Sequence, residues 1–157
     1  MDRKPITAKG YAKLQDELRH LIKIERPKVI SDIETARAHG DLKENAEYHA
    51  AKEKQGFVEG RIQHLNHVIA NSEIIHVNKV NSSDVRFGAT VSYEDLDTGV
   101  VETWKIVGEE EADIKNREIS IKSPVAQSML GKEEGDEITI RVPKGKIEIE
   151  IISIEYK

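Results

Sequence analysis

Cysteine is absent from the 157 residues, which excludes disulfides and thiolate chemistry and permits a reducing compartment. No run approaches the roughly 20 consecutive apolar residues needed to cross a bilayer. Met1-Asp2-Arg3-Lys4-Pro5 opens onto no apolar stretch of the signal-peptide kind. There is no Gly-x-Ser-x-Gly elbow, no phosphate-cradling glycine loop and no evident nucleophile–base pair. Apolar residues make up only 38% of the chain, while charged residues reach 34% against the ~25% of an average globular protein. Much surface and little core point to an elongated part. A net charge of −5 also disfavours general nucleic-acid binding. Membrane protein, redox enzyme and secreted disulfide scaffold are thereby set aside.

What charge there is divides unevenly. Residues 1–77 hold 13 Lys and Arg against 12 Asp and Glu, whereas residues 78–157 hold 11 against 17. All six histidines, at positions 20, 39, 49, 64, 67 and 76, fall in the first part. Two segments of different chemistry are expected, residues 1–77 and 78–157, with the seam near Val77.

Between Ala8 and His39 the apolar positions Tyr11, Leu14, Leu18, Leu21, Ile22, Val29, Ile33 and Ala36 recur at steps dominated by three and four. That spacing predicts one long amphipathic helix, N-capped by Thr7, kinked at Pro27 and ending at Gly40. Ala46, Ala50, Ala51, Val58, Ile62, Leu65 and Ile69 form a second helical stripe. The short link folds the two into an antiparallel hairpin. Facing pairs Leu14 with Ile69, Leu18 with Leu65, Ile22 with Ile62 and Ile33 with Ala51 add to 83, 83, 84 and 84. A constant total is what antiparallel register requires. Such a stalk is on the order of 45–50 Å long and buries little per residue, so a functional group at its far end is expected.

That end reads Ala36-Arg37-Ala38-His39-Gly40-Asp41-Leu42-Lys43-Glu44-Asn45-Ala46-Glu47-Tyr48. Asp41 and Glu44, three apart, fit a helix-capping pair. They equally fit two outward carboxylates that offer a hard divalent cation part of its shell, with waters and substrate phosphates supplying the rest. Spacing leaves both readings open. Arg37 and Lys52 stand behind the tip as candidate phosphate contacts, or as solvated charges. His20, His64 and His67 face one another across the hairpin in register; they are expected as half-buried packing residues rather than metal ligands.

Beyond the seam, residues 73–77, 89–93, 103–107, 118–121, 137–142 and 146–154 are β-branched, partly alternating runs. Turn signals stand at Asp97-Thr98-Gly99 and Pro143-Lys144-Gly145. The alternation Ile147-Glu148-Ile149-Glu150-Ile151 predicts a sheet with one buried and one wet face. Ser123-Pro124 followed by Val125, Met129, Leu130 and Gly131 predicts a short capped helix. Trp104 and Phe87 are expected in the core.

The tip, continued by His49-Ala50-Ala51-Lys52-Glu53, closely resembles the Gre family of bacterial transcript-cleavage factors. The likeness extends through Ser123-Pro124-Val125-Ala126, Leu130-Gly131-Lys132-Glu133 and residues 143–156, and so spans the chain. It implies an α+β fold: an N-terminal antiparallel α-helical coiled-coil hairpin followed by a C-terminal FKBP-like antiparallel β domain with one short helix. It implies RNA polymerase as partner, with the hairpin in the secondary channel and the β domain gripping the channel rim through Ser123 and Pro124. Asp41 and Glu44 would share Mg²⁺ with the polymerase active site, which itself hydrolyses backtracked RNA. No metal would be held stably by the chain alone. Arg37 and Lys52 would contact the 3′ end of that RNA. A cytoplasmic bacterial factor without its own turnover and without membrane contact is expected. The competing readings are a channel-binding regulator that inhibits without cleavage, and a peptide-binding chaperone or isomerase using the β domain.

Overall fold

The computed structural model describes residues 3–40 and 45–157. It divides into two compact units. One comprises the chain through Gly10 together with Ser72–Lys157; the other is Tyr11–Asn71. The expected seam after Val77 thus compares with two crossings of the chain. The reason is strand β1 (Lys4–Thr7), which pairs in parallel with β2 (Ser72–Ile75), Ile6 opposite Ile74.

Helix α1 (Ala8–His20) runs into a π-helical segment, Leu21–Glu25, and then α2 (Arg26–Arg37); α3 (Ala46–Ala70) returns along them. The expected disturbance at Pro27 takes the form of that wider turn. Proline has no N–H for the carbonyl of Lys23, and its ring crowds that oxygen. Just before it, the Arg26 N–H reaches back five residues to Leu21 O, which relieves the crowding at the cost of phase. Ile22, placed by the sequence on the buried stripe, is 38% exposed, and Leu21 packs there instead. Val29, Ile33, Val58 and Ile62 form the buried seam, with Leu18, Tyr48 and Ala51 against it. Bidentate pairs flank the seam: Arg26 donates to Glu59 at 2.8 and 2.9 Å, and Arg61 to Glu17 at 2.7 and 2.9 Å. Among the described residues no helix is long and apolar enough to cross a membrane.

The other unit is a five-stranded sheet in the order β5 (Glu118–Ser120), β4 (Val101–Val107), β3 (Thr90–Asp95), β7 (Gly145–Glu155), β6 (Glu137–Val142). All neighbours are antiparallel except β4 and β5. Ile149 and Ile151 are fully buried and alternate with the exposed Glu148 and the half-buried Glu150, as alternation requires. Helix α4 (Pro124–Met129) closes the core with Ala126 and Met129 against Val91, Ile106 and Ile140. Thr7 caps α1 as expected, its hydroxyl accepting the Gly10 N–H at 3.0 Å. The same hydroxyl donates to the Glu111 carboxylate at 2.7 Å, and that carboxylate also accepts the N–H groups of Thr7 and Gly108 at 3.0 and 2.8 Å.

Candidate functional site

Helix α2 stops where the carbonyls of its last turn need partners outside the helix. Ala38 ends it, and Gly40 follows at φ +120°, a conformation that suits glycine. On the far side Asn45 is extended, at φ −84° and ψ 97°, and is the N-cap of α3: its Oδ1 accepts the Tyr48 N–H at 3.0 Å. Its Nδ2 donates across the hairpin to Ala36 O at 2.6 Å. The His39 N–H reaches the same oxygen at 3.1 Å. One side-chain amide therefore answers a free donor of α3 and adds a second bond to a last-turn carbonyl of α2. Asp41 and Glu44 lie outside the described residues, between these two ends. The capping reading of that pair does not hold for α3, whose N-cap is Asn45 because the helix starts at Ala46.

Arg37 is exposed, and its guanidinium lies 6.0 Å from the centroid of the Tyr48 ring. Tyr48 meets His49 edge-on at 5.6 Å and packs inward on the hairpin seam. Lys52 is exposed, one helical turn beyond Tyr48, with its ammonium 3.3 Å from Gln55 Oε1. Arg37 and Lys52 each have their own neighbour, and Tyr48 stands between them on one face by helical spacing. Tyr48 escaped the sequence reading, although an aromatic one turn past Glu44 was its visible signal.

The histidines do not converge. His20 meets Glu25 at 3.3 Å and His67 meets Asn71 at 3.3 Å, and these two and His64 are exposed rather than half-buried. Among the described residues no group of three or more His, Cys, Asp or Glu stands ready for a metal. As a donor set, Asp41 and Glu44 are two hard carboxylates, which fit Mg²⁺ as part of a shell.

At the β domain, Ser123 caps α4 through Oγ, 3.2 Å from the Ala126 N–H, and Pro124 is exposed in the first turn. Beside Val125 opens a cleft of about 290 Å³ lined by Tyr93, Val100, Glu102, Ile140 and Ile147. Burial, then Glu102, pushes the Tyr93 phenol up to about 12. Trp104 lies outside the core cluster. Half-buried, it donates to Glu102 at 3.0 Å and carries the Arg117 guanidinium 4.9 Å from its ring. Phe87 is likewise half-buried.

Two family descriptions match the chain: "Transcription elongation factor, N-terminal" over residues 4–74 and "Transcription elongation factor, GreA/GreB, C-term" over 80–156. The chain is 54% identical over 157 residues to transcription elongation factor GreA of Hyphomonas neptunium, covering 100% of both. It is 52% identical to the protein of that name from Methylococcus capsulatus, covering 99% of each. Among solved structures, GreA factor homolog 1 of Thermus thermophilus is 23% identical with a TM-score of 0.45, covering 98% of this chain and 99% of that one.

Proposed function

Because this chain belongs to the GreA/GreB family of transcription elongation factors, which act through RNA polymerase and are not themselves enzymes, we propose that it inserts the closed end of its hairpin into the secondary channel and stimulates cleavage of backtracked RNA. The observation that carries this reading is at the hairpin's end. The segment bearing Asp41 and Glu44 joins two helix ends that Asn45 binds together, with the capping of α3 already provided. That Asn45 and not Asp41 caps α3 supports a role for the two carboxylates toward a partner. They would hold Mg²⁺ jointly with polymerase ligands, and that ion would stabilise the attacking and leaving oxygens of phosphodiester hydrolysis. Arg37, resting on Tyr48, and Lys52 present positive charge to the phosphates near the RNA 3′ end. The capped turn at Ser123 and Pro124 offers an exposed, rigid edge to the polymerase surface.

A halted, backtracked elongation complex tests this directly. Adding the chain shortens the RNA from its 3′ end, and Asp41→Ala or Glu44→Ala abolishes the shortening while polymerase binding persists. Inhibition of elongation with no shortening by the unaltered chain would favour the regulator reading instead.

A further inference from the structure

We propose that the cleft beside Val125 seats one basic side chain, a lysine or arginine projecting from the polymerase, and that Glu102 is the group that pairs with its charge. The inference rests on the reading above for the identity of the partner. Its support is the way Glu102 is held. Half-buried on β4, Glu102 stands opposite Tyr93 of β3, and its Oε2 accepts both the Tyr93 hydroxyl at 3.2 Å and the Trp104 Nε1–H at 3.0 Å. Among the described residues its Oε1 has no donor and the carboxylate has no ion-pair partner. The Arg117 guanidinium lies over the Trp104 ring, 4.9 Å from its centroid, instead of pairing with it.

The walls select the ligand. Tyr93, Val100, Val125, Ile140 and Ile147 are apolar or aromatic, while the charged residues of the lining, Asp95 and Glu102, are both acidic. Asp95 is engaged by its own turn, its Oδ1 accepting the N–H groups of Asp97 and Thr98, which leaves Glu102 as the anion facing a ligand. Lysine and arginine combine an apolar stem with a cationic head, so either covers such walls and meets the carboxylate at once. The volume of about 290 Å³ stands at the bottom of the ~300–1,000 Å³ range of small-molecule sites, which suits one side chain rather than a longer peptide. Glu102 is also oriented before any partner arrives. Strand pairing sets it opposite Tyr93, whose phenol, raised to about 12, remains a donor at neutral pH. A cation therefore meets a preorganised acceptor, and little ordering cost is added on binding. The surrounding charge has the complementary sign, since residues 78–157 hold 17 Asp and Glu against 11 Lys and Arg. The cleft opens beside α4, whose N-terminal end carries Ser123 and Pro124, and so continues the edge already offered to polymerase.

Two measurements on the full-length chain decide it. The first needs no substitution. n-Butylguanidinium, the head and stem of arginine, is titrated while NMR follows the indole N–H of Trp104, the one tryptophan. That resonance should move saturably, because the same N–H donates to Glu102, whereas the neutral isostere n-butylurea should leave it in place. Equal shifts with both probes, or none with either, overturn the inference. The second is equilibrium binding to core RNA polymerase. Glu102→Gln keeps a side-chain oxygen for the Tyr93 and Trp104 donors and removes the charge. It should weaken binding on the order of tenfold, the ratio for one lost charge-assisted hydrogen bond, and flatten the dependence on salt. Glu102→Lys should weaken it further. An apolar occupant of the cleft would leave the affinity of Glu102→Gln unchanged or raised, and that result overturns the inference. If the unaltered chain binds polymerase and shortens backtracked RNA while Glu102→Gln binds as tightly, this inference alone fails. If the unaltered chain neither binds polymerase nor shortens the RNA, the proposed function fails and this inference with it.

Discussion

Replacing Gly10 by alanine should destabilise the protein, although alanine is the better helix former by about 1 kcal/mol. Gly10 sits in the first turn of α1, where a Cβ would stand 1.6 Å from Glu111 Oε2 and 2.6 Å from its Cδ. The carboxylate must move, and it gives up bonds to do so. Three donors converge on it: the Thr7 hydroxyl, the Thr7 N–H and the Gly108 N–H. Thr7 is 4% exposed, so water replaces Glu111 poorly. At about 1 kcal/mol for each bond, discounted because Glu111 itself is half-exposed, Glu111→Ala costs roughly 3 kcal/mol. Gly10→Ala loses most of that and regains about 1 through propensity, so it costs roughly 2. The signs then part company in the double variant. Once Glu111 is gone, the added methyl has room, and Gly10→Ala should become neutral or stabilising by up to about 1 kcal/mol. The interaction energy is therefore about 2–3 kcal/mol, far above the few tenths expected of independent sites. Urea unfolding followed by fluorescence of Trp104, the one tryptophan, reads the unit that contains all these residues. Additive costs, or a Gly10→Ala variant as stable as the parent, would refute the clamp.

Three further outcomes follow from the geometry. Hydrogen bonding from Arg61 holds the Glu17 carboxyl below its ordinary value of 4.5. Its contribution to stability is thus present above that value and lost as pH falls through the lowered one; carboxyl NMR should show the low titration, and Glu17→Gln should flatten the acid limb of stability against pH. Tyr93 has the opposite sign: its phenol is raised from 10.0 to about 12, so its contribution is present below 10 and disappears as pH rises towards 12. A phenolate absorbance step near 12 that Tyr93→Phe fails to remove would contradict this. Ser123→Ala removes the cap of α4 and should cost about 1 kcal/mol in urea, with Ser123→Asp restoring it.

The helices and most strands were legible because their signals are local. Steps of three and four survive along α3, and Ile149 and Ile151 are buried in alternation with Glu148 and Glu150. What was missed depends on partners distant in sequence or on phase. Strand β1 is four residues containing a proline, and its parallel partner lies at Ser72–Ile75. Glu111 finds Thr7 across 104 positions, which no spacing rule reports. Ile22 left the seam inside the π segment while Val29 and Ile33 beyond it stayed buried, and proline at 27 warned of disturbance without saying which kind. At the tip, spacing drew the capping reading to Asp41 with Glu44 and passed over Asn45, which by residue type suits an N-cap as well. The structure decides in favour of Asn45 because helical geometry begins at Ala46.

That decision changes what the acidic pair is for. Eight residues, 38–45, join α2 to α3, whereas antiparallel helices need as few as two to five. Every extra residue held in place costs conformational entropy, about 1–2 kcal/mol for its backbone alone. Among the described residues the members of the buried seam run from Leu18 to Ile33 and from Tyr48 to Ile62. Had Asp41 been the cap, the segment would have repaid its length by starting a helix. With Asn45 as the cap of α3, a charged segment at the end of a hairpin is explained by what it offers to something outside the chain. The two carboxylates at 41 and 44 are the chemistry on offer.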